Sequence, residues 1–445
     1  MGYAGFIEVL MPHRAKNPEI KTPQDWAREN KTTQRIAYAL ILGCVLVFAM
    51  GQTVLFVLLQ PISREIGFDE SWVGWIVALS AASMALIQPT WGRVSDKWGR
   101  KAVIIFGLLA YAITTALFAF ILQVGLWGWV APLPLLAMLI LARLAYGLTS
   151  SGIQPAASAF VADTTTGKKR TQGLAMVGAA VGLGTVAGPL FGMVLVGFGD
   201  LVPLYAAAIL ALVMGLVGFR YLKEPPAHVR PTPTTRLKVS DPRILPYLIM
   251  TLLVLVVVAA TQQTAAYYVQ DRLNLVTVAE TARLTGYAMA GTAVMAIIFQ
   301  GAVVQWLKPA PAVLVRSGFL IGTTAFVFLS LTKSYEGLVI GYMILGASIG
   351  LLNPGMMSAA SMSVEPEEQG GVAGWIGSAM SAGFVFGPIL GTNLYNVGQV
   401  APMKVNAAIM GVMLVGSMFL AFGPRPKSLD PQPMDPEGEI DLGEE

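Results

Sequence analysis

The stretch GRVSDKWGRK, residues 92–101, decides how the rest of the chain is interpreted. It places five charged residues and two glycines between two apolar runs, at 72–91 and 102–123. Each run has about the 20 residues that a helix needs to cross a bilayer. A short, charged connection between two such runs predicts a turn at a membrane surface, where charged side chains remain hydrated.

Composition extends this interpretation to the whole chain. Of the 445 residues, 55% are hydrophobic and 12% are charged, which is about half the charged fraction of a soluble domain. The single cysteine, Cys44, lies in an apolar run and both histidines lie in polar segments, so neither an internal disulfide nor a Cys/His metal site is expected. We predict no cofactor, no bound metal and no nucleic-acid partner.

The apolar runs are continuous, which favours helices over the alternating pattern of a membrane barrel. We predict an all-α integral membrane fold of twelve transmembrane helices in two pseudo-symmetric six-helix bundles. The helices are placed at 36–59, 72–91, 102–123, 132–161, 172–196, 202–222, 244–269, 284–306, 311–331, 336–363, 371–396 and 401–423. The predicted units are an N-terminal extension (1–35), a first bundle (36–222), a central loop (223–243), a second bundle (244–423) and an acidic tail (424–445).

Lys and Arg predict the orientation, because loops rich in these residues stay in the cytoplasm. An even number of helices puts both termini on one side, and that side collects 23 of the 29 Lys and Arg residues. The first 35 residues contain no apolar core of the secretory type. We therefore expect a multi-pass protein of the bacterial inner membrane, in contact with the lipid bilayer, with both termini in the cytoplasm.

The two halves contain an internal repeat. A shift of 199 residues without gaps superposes Pro155 on Pro354 and the motif GPxxG at 188–192 on GPxxG at 387–391. Glycine and proline control helix kinks and close helix approach. The shift predicts that helices 4 and 5 are equivalent to helices 10 and 11.

The opening stretch matches the pattern G-x-x-x-D-[RK]-x-G-[RK]-[RK], and through it the chain resembles the major facilitator superfamily from about residue 36 to 423. The resemblance implies a conformational latch between helices 2 and 3, which fastens the two halves near helix 11 on the cytoplasmic face when the cavity opens outward. The latch residues are Gly92, Asp96, Lys97, Gly99, Arg100 and Lys101. We expect Asp96 to lie at the positive N-terminal end of a neighbouring helix.

Helix 5 resembles the signature of the drug:proton antiporter branch, the twelve-helix multidrug efflux proteins, through Gly184, Gly188, Pro189 and Gly192. Met193 departs from that signature, which usually has a second glycine there. Generic helix packing is the alternative interpretation, since helix 11 carries the same GPxxG.

Helix 4 contains Arg143, the only charge well inside a predicted helix. With Gly147 it resembles the helix 4 signature of the same branch, which implies a role in proton coupling or in binding an anionic substrate group; a structural arginine is the alternative. We expect Asp163 to brace the following loop against Lys168, Lys169 or Arg170. The predicted helices contain no carboxylate at mid-membrane depth, so the proton carrier stays open among Asp163, Asp96, a substrate carboxylate and an unidentified site.

The remaining cavity candidates are neutral amides and aromatics, in a chain with 21 methionines. Such side chains suit an adaptable apolar pocket, although each could instead join helices. Gln154 and Asn353 occupy equivalent positions before the matching prolines, and we expect them to face each other. The candidates are Gln52, Gln88, Tyr146, Gln154, Gln262, Gln263, Tyr267, Asn353 and Trp375.

These features predict a secondary active transporter and not an enzyme. The predicted function is proton-coupled efflux of amphipathic small molecules by alternating access, carried out by a monomer. The cargo would be a drug or an endogenous metabolite such as a siderophore. The alternatives are an importer of a small metabolite with the same fold and, third, a membrane receptor or scaffold that does not transport.

Overall fold

The computed structural model describes residues 31–165, 167–225, 237–365 and 368–420, without the side chains of residues 31–33, 167, 168 and 171. Within these ranges twelve helices are long and apolar enough to cross a membrane. The predicted all-α fold is therefore confirmed. Most of the predicted N-terminal extension, the central part of the 223–243 loop and the acidic tail lie outside the described residues.

We number the spanning helices α1 to α12 in chain order. The first half contains α1 (Lys31–Ile66), α2 (Glu70–Trp98), α3 (Arg100–Leu126), α4 (two segments, Pro132–Ser150 and Ile153–Thr164), α5 (Gly167–Leu195) and α6 (Val202–Tyr221). The second half contains α7 (Leu245–Leu273), α8 (Val278–Ile298, continued by a π-helical turn Phe299–Val303 and by Val304–Leu307), α9 (Pro311–Leu331), α10 (Tyr335–Met362), α11 (Gln369–Val397) and α12 (Ala401–Met418).

Local sequence signals explain where many of these helices begin. Five of them, α4, α6, α7, α9 and α12, have proline in their first two positions, where the missing N–H has no intrahelical partner to lose. Three others begin at a side-chain cap: Asp69, Thr277 and Ser334 accept hydrogen bonds from backbone N–H groups at the starts of α2, α8 and α10. Capping satisfies amides that would otherwise be unpaired at the membrane surface.

The connection between α2 and α3 is much shorter than predicted. Helix α2 continues through the motif to Trp98, and Gly99 alone joins it to α3, with a φ of 101°. Glycine adopts this backbone conformation readily, whereas other residues are strained there. The stretch predicted as a loop is helical because a helix keeps its backbone hydrogen bonds while its charged side chains reach water.

The proline positions of the repeat behave differently in the two halves. Helix α4 is interrupted just before Pro155, and the indole Nε1 of Trp91 in α2 donates to the carbonyl oxygen of Leu148 at 2.7 Å. Helix α10 continues through Pro354 as one α-helix. At these two matching prolines, helices α4 and α10 therefore differ in local conformation.

We name the two membrane faces by residues that lie on them. The Gly99 face carries the α2–α3, α4–α5 and α6–α7 connections, and the Arg64 face carries the α1–α2, α5–α6 and α7–α8 connections. Because twelve spans separate the start of α1 from the end of α12, both of these helix ends lie on the Gly99 face.

The two halves are in close contact toward the Arg64 face. A Cβ added to Gly74 of α2 would lie 2.9 Å from the carbonyl oxygen of Pro388 in α11, and one added to Gly286 of α8 would lie 3.0 Å from that of Pro189 in α5. Such small residues allow helix backbones to approach. These two crossings close the space between the halves on the Arg64 face.

Toward the Gly99 face, α5 and α11 have open space beside several of their glycines. A Cβ added to Gly178 or Gly182 of α5, or to Gly374 or Gly377 of α11, would meet no described atom within 4 Å. Gly178 and Gly377 are equivalent in the repeat. The halves are therefore separated on this face, and the space between them opens there.

Candidate substrate cavity and its two faces

A cavity of about 330 Å³ lies between the halves. Helices α1, α2, α4 and α5 of the first half and α7 and α11 of the second form its wall. Five residues predicted from the sequence lie on this wall together: Gln52, Gln88, Arg143, Gln154 and Gln262. The structure thus gathers amides from both halves around one arginine, and their contact with a substrate stays a prediction.

Arg143 is the charged residue of this wall. Its guanidinium carbon lies 4.4 Å from the ring centroid of Tyr146 and 5.5 Å from that of Phe118. Its Nε is buried without a hydrogen-bond partner, and no carboxylate in the described ranges forms an ion pair with it. Aromatic faces attract a cation without neutralising it, so Arg143 brings a positive charge to the cavity.

Tyr146 lies behind the cavity wall and supports the arginine. It is only 2% exposed, and its ring packs against Phe48 and Tyr111 with centroid distances of 6.4 and 5.8 Å. The sequence analysis listed Tyr146 among the aromatic side chains expected to line the cavity. The structure corrects that placement, since the ring turns into the core of the first half.

A second cavity of about 140 Å³ adjoins the first, and Thr53, Thr185 and Gln262 line both. Its other walls come mainly from α7, α8 and α10 and are largely apolar. The hydroxyl of Tyr342, which also lines it, is buried without a hydrogen-bond partner. We call the cavity around Arg143 the polar lobe and this one the apolar lobe.

Two residues predicted for the cavity lie instead on the closed Arg64 face. Gln263 is fully buried, and its backbone carbonyl accepts a hydrogen bond from Gln60 Nε2 of α1 at 3.0 Å. The hydroxyl of Tyr267 is 2.7 Å from Ser63 Oγ. Positions 263 and 267 are one turn apart on the side of α7 that packs on α1, whereas Gln262 lies on the neighbouring side, toward the cavity.

Trp375 and Asn353 also lie outside both lobes. The indole Nε1 of Trp375 donates to the backbone carbonyl of Leu237 at 3.0 Å, near the Gly99 face. Asn353 is exposed and is not among the residues that line either lobe. Its expected position opposite Gln154 stays a prediction.

The segment before α7 is fixed to the start of α11 by an ion pair. Arg243 Nη1 lies 2.9 Å from a carboxylate oxygen of Glu368 and also binds Asp241. The hydrogen bonds from Arg243 lower the pKa of Glu368, and the two carboxylates raise the pKa of Arg243. These contacts connect α7 and α11 within the second half.

A charged cluster closes the Arg64 face and was missed by the sequence analysis. Arg64 of α1 binds Asp271 of α7 at 2.5 Å and Glu70 of α2 at 2.8 Å. Tyr395 of α11 donates to Asp271 at 2.6 Å, and the Arg64 guanidinium lies 4.6 Å from the ring centroid of Tyr267. The ion pair between Arg64 and Asp271 joins the two halves. We call these five residues the Arg64 cluster.

The sequence contained a signal for this cluster. Arg64 and Asp271 follow two apolar runs that were predicted to end on the same side, and they have opposite charges. Helices 1 and 7 were predicted to end at 59 and 269, before these two residues. Both helices continue because the charges compensate one another.

On the Gly99 face, Arg100 organises a second charged network. It is 5% exposed, and its Nε lies 2.9 Å from the carboxylate of Asp163 while its Nη2 lies 2.5 Å from that of Asp96. Two predictions are corrected here. Asp163 pairs with Arg100 of the motif, and among the described side chains it pairs with neither Lys169 nor Arg170. Asp96 lies in the last turn of α2 and not at a helix N-terminus.

Glu224 occupies the position that was predicted for Asp96. Its carboxylate accepts hydrogen bonds from the backbone N–H groups of Arg100 at 2.5 Å and Lys101 at 3.1 Å. These are the first amides of α3, where an anion is favoured by unpaired N–H groups and by the helix dipole. The sequence analysis missed this contact because Glu224 is distant in the chain.

The remaining latch residues are exposed, or have free space beside them, in this conformation. The side chain of Asp96 is 54% exposed, Lys97 is exposed, and a Cβ on Gly92 would meet no described atom within 4 Å. The Nζ of Lys101 lies 5.7 Å from the ring centroid of Phe219. Docking near helix 11 was expected for the opposite conformation and stays a prediction.

We expect Gly99→Ala to lower the thermal stability of the purified protein. Alanine is strained at a φ of 101° and a ψ of 154°, by about 1–3 kcal/mol, and its Cβ would lie 2.5 Å from a carboxylate oxygen of Glu224. Gly92→Ala is the matched control, because its Cβ has free space and alanine favours a helix. Equal melting temperatures for the two variants would contradict this prediction.

The helix 5 signature packs α5 onto α1. A Cβ on Gly184 would lie 2.6 Å from the carbonyl oxygen of Leu46, and one on Gly188 would lie 2.5 Å from that of Met50. Gly192 is less constrained, since its nearest neighbour would be Val54 Cγ1 at 3.8 Å. Together with the contact of Pro189 on α8, the signature lies where the first half meets the second. A function of these residues in exchange stays a prediction.

Two bundles of six membrane-crossing helices, with a cavity that opens on one face and is closed on the other, define a membrane transport protein. The model of the Major Facilitator Superfamily matches residues 41–335 and 317–439. The chain therefore belongs to the major facilitator superfamily, as its sequence motif predicted, and it is a transporter rather than an enzyme.

Among curated relatives, Multidrug resistance protein 1 of Bacillus subtilis (strain 168) is 25% identical over 82% of this chain and 91% of its own length. Tetracycline resistance protein, class B, of Escherichia coli is 28% identical over 78% of this chain and 86% of its own length. A crystal structure of a bacterial homologue of the human lysosomal transporter Spinster, in an inward-facing and occupied conformation, superposes with a TM-score of 0.70 at 16% identity, covering 87% of this chain and 97% of that one.

Proposed function

We propose that this protein exports amphipathic small molecules across the inner membrane of a bacterium by alternating access. The observation that carries the proposal is the cavity between the halves, open on the Gly99 face and closed on the Arg64 face. The Lys and Arg distribution assigns the Gly99 face to the cytoplasm, together with both termini. Efflux relatives with similar sequences support the exporting direction.

During the transport cycle the Arg64 face opens and the Gly99 face closes. Cargo enters the two lobes from the cytoplasmic side, the halves separate at the Arg64 cluster, and they meet near Gly178 and Gly377 on the other face. The latch at Asp96 then docks near α11. Because both halves of the cavity come from one chain, a monomer is sufficient for this cycle.

We propose that protons drive the exchange and that Asp271 holds the Arg64 face closed until cargo has entered. Its carboxylate faces Arg64 from α1 and Tyr395 from α11, and Glu70 from α2 competes for the same guanidinium. Asp69, which binds Asn396 across the halves, lies on the same face. Breaking the ion pair between Arg64 and Asp271 is therefore the step that opens the Arg64 face.

Uptake by everted membrane vesicles tests this function, because an exporter concentrates its cargo inside such vesicles. We expect overproduction to increase uptake of at least one of three amphipathic dyes, one anionic, one neutral and one cationic. Arg143→Ala should abolish that increase, because Arg143 lies on the cavity wall, whereas Arg316→Ala should retain it. Arg316 lies in α9 outside both lobes, with its Nε near the carbonyl oxygen of Ser417.

Three results would contradict the proposal. Reduced uptake into everted vesicles would favour the importer. No change with any of the dyes would contradict amphipathic cargo. An uptake that persists when the pH gradient is collapsed would exclude protons as the driving ion.

A further inference from the structure

The charges around the cavity are unbalanced. Arg143 is a cation, and the residues that line the polar lobe with it are amides, hydroxyls, aromatics and aliphatics. The apolar lobe likewise has no charged residue among those that line it. Over both lobes, the described wall carries one positive charge and no carboxylate.

An arginine at this depth requires a partner. A charge removed from water costs several kcal/mol unless an opposite charge and hydrogen bonds compensate it. The two rings beside Arg143 compensate only partly, and its Nε has no hydrogen-bond partner. The other buried arginine of the first half, Arg100, binds two carboxylates. Arg143 can therefore bind an anionic group of a ligand, whereas Arg100 is already paired with Asp96 and Asp163.

The apolar lobe indicates the chemistry of the rest of the ligand. It adjoins the polar lobe through Thr53, Thr185 and Gln262, and beyond them its wall is largely aliphatic. Burying an apolar group there is favourable. A ligand that fills both lobes therefore has a polar end beside Arg143 and an apolar body directed toward α8 and α10.

We propose that the cargo is an amphipathic organic anion, whose carboxylate or sulfonate pairs with Arg143 and whose apolar body occupies the apolar lobe. This inference rests on the proposed function and narrows it to a charge class. Guanidinium binds such groups with two parallel hydrogen bonds. A neutral or cationic amphiphile leaves Arg143 uncompensated, so it binds more weakly.

Two dyes that differ in one acidic group test the proposal. Anilinonaphthalene sulfonate carries a negative charge, and N-phenyl-naphthylamine has the same aromatic body without it. Binding of each is measured by calorimetry to the full chain in lipid nanodiscs, with empty nanodiscs subtracted. We expect Arg143→Gln to weaken the sulfonate at least about tenfold, which corresponds to about 1.4 kcal/mol, and to change the neutral dye by less than about twofold.

Two further variants separate a charge effect from misfolding. Arg143→Lys keeps the charge and should retain most of the sulfonate affinity, and Arg316→Gln should leave both dyes unchanged. If Arg143→Gln weakens binding of both dyes equally, or does not weaken binding of the sulfonate dye, the proposal of an anionic cargo is overturned while the exporter function stands. If neither dye binds the unaltered protein, the anionic class and the amphipathic cargo of the proposed function both fail.

Discussion

Asp271→Asn is expected to move the protein toward a conformation that is open on the Arg64 face. Asp271 receives the inter-half ion pair from Arg64 at 2.5 Å and the hydroxyl of Tyr395 at 2.6 Å. Asparagine keeps the size of the side chain but removes its charge. The pair is partly buried, with the two side chains 23% and 19% exposed. We expect its loss to lower the population of the closed state at least about tenfold, which corresponds to about 1.4 kcal/mol.

Spin labels at Phe198 and Val397 measure this shift, because these residues are exposed on opposite halves of the Arg64 face. A longer distance in Asp271→Asn, largely independent of pH, is the expected result. Glu70→Gln is the matched control: Glu70 binds Arg64 within the same half, so its loss leaves the inter-half bond in place. Unchanged distances in Asp271→Asn, or an equal change in Glu70→Gln, would contradict the gate.

Gly391→Ala should destabilise the second half, whereas Gly192→Ala at the equivalent position should not. A Cβ on Gly391 would lie 2.8 Å from both the Cα and the carbonyl oxygen of Ala260 in α7, and backbone atoms cannot move aside as a side chain can. Overpacking of this kind costs about 1–3 kcal/mol. At Gly192 the nearest atom would be 3.8 Å away, an ordinary contact, and alanine favours the helix.

Thermal unfolding of the two purified variants, followed by circular dichroism in the same lipid or detergent, compares these positions directly. The expected result is a lower transition temperature for Gly391→Ala and an unchanged or higher one for Gly192→Ala. If both variants melt at the temperature of the unaltered protein, the α7–α11 crossing is looser than described.

The fold was predictable because it depends on features that are local in the sequence. Apolar runs of spanning length and a charged motif between two of them lie within short windows, and the gapless repeat is found by comparing two segments of the sequence. None of these features requires knowledge of contacts between distant residues. The boundaries were less predictable. Arg64 and Asp271 extend their helices beyond the predicted ends because each compensates the other, and that pairing joins residues of different halves.

In the candidate site, too, relations within one helix were predictable and relations between distant elements were not. Arg143 and Gln154, which spacing along helix 4 predicted to share one face, both line the polar lobe, because one helix determines their relative positions. Tyr267 and Trp375 were predicted from residue type alone, and other elements set their surroundings: α1 for the first and the segment before α7 for the second. Polarity and depth identify residues that need a partner, and only tertiary structure identifies the partner.

The length of α2 has a mechanical consequence. The helix is pinned against α11 at Gly74, near one end, and continues without interruption to Trp98, which is about 36 Å at 1.5 Å per residue. A tilt of about 10° about Gly74 would displace the far end of α2 by about 6 Å. Because only one residue joins that end to α3, the displacement passes to the next helix with little slack.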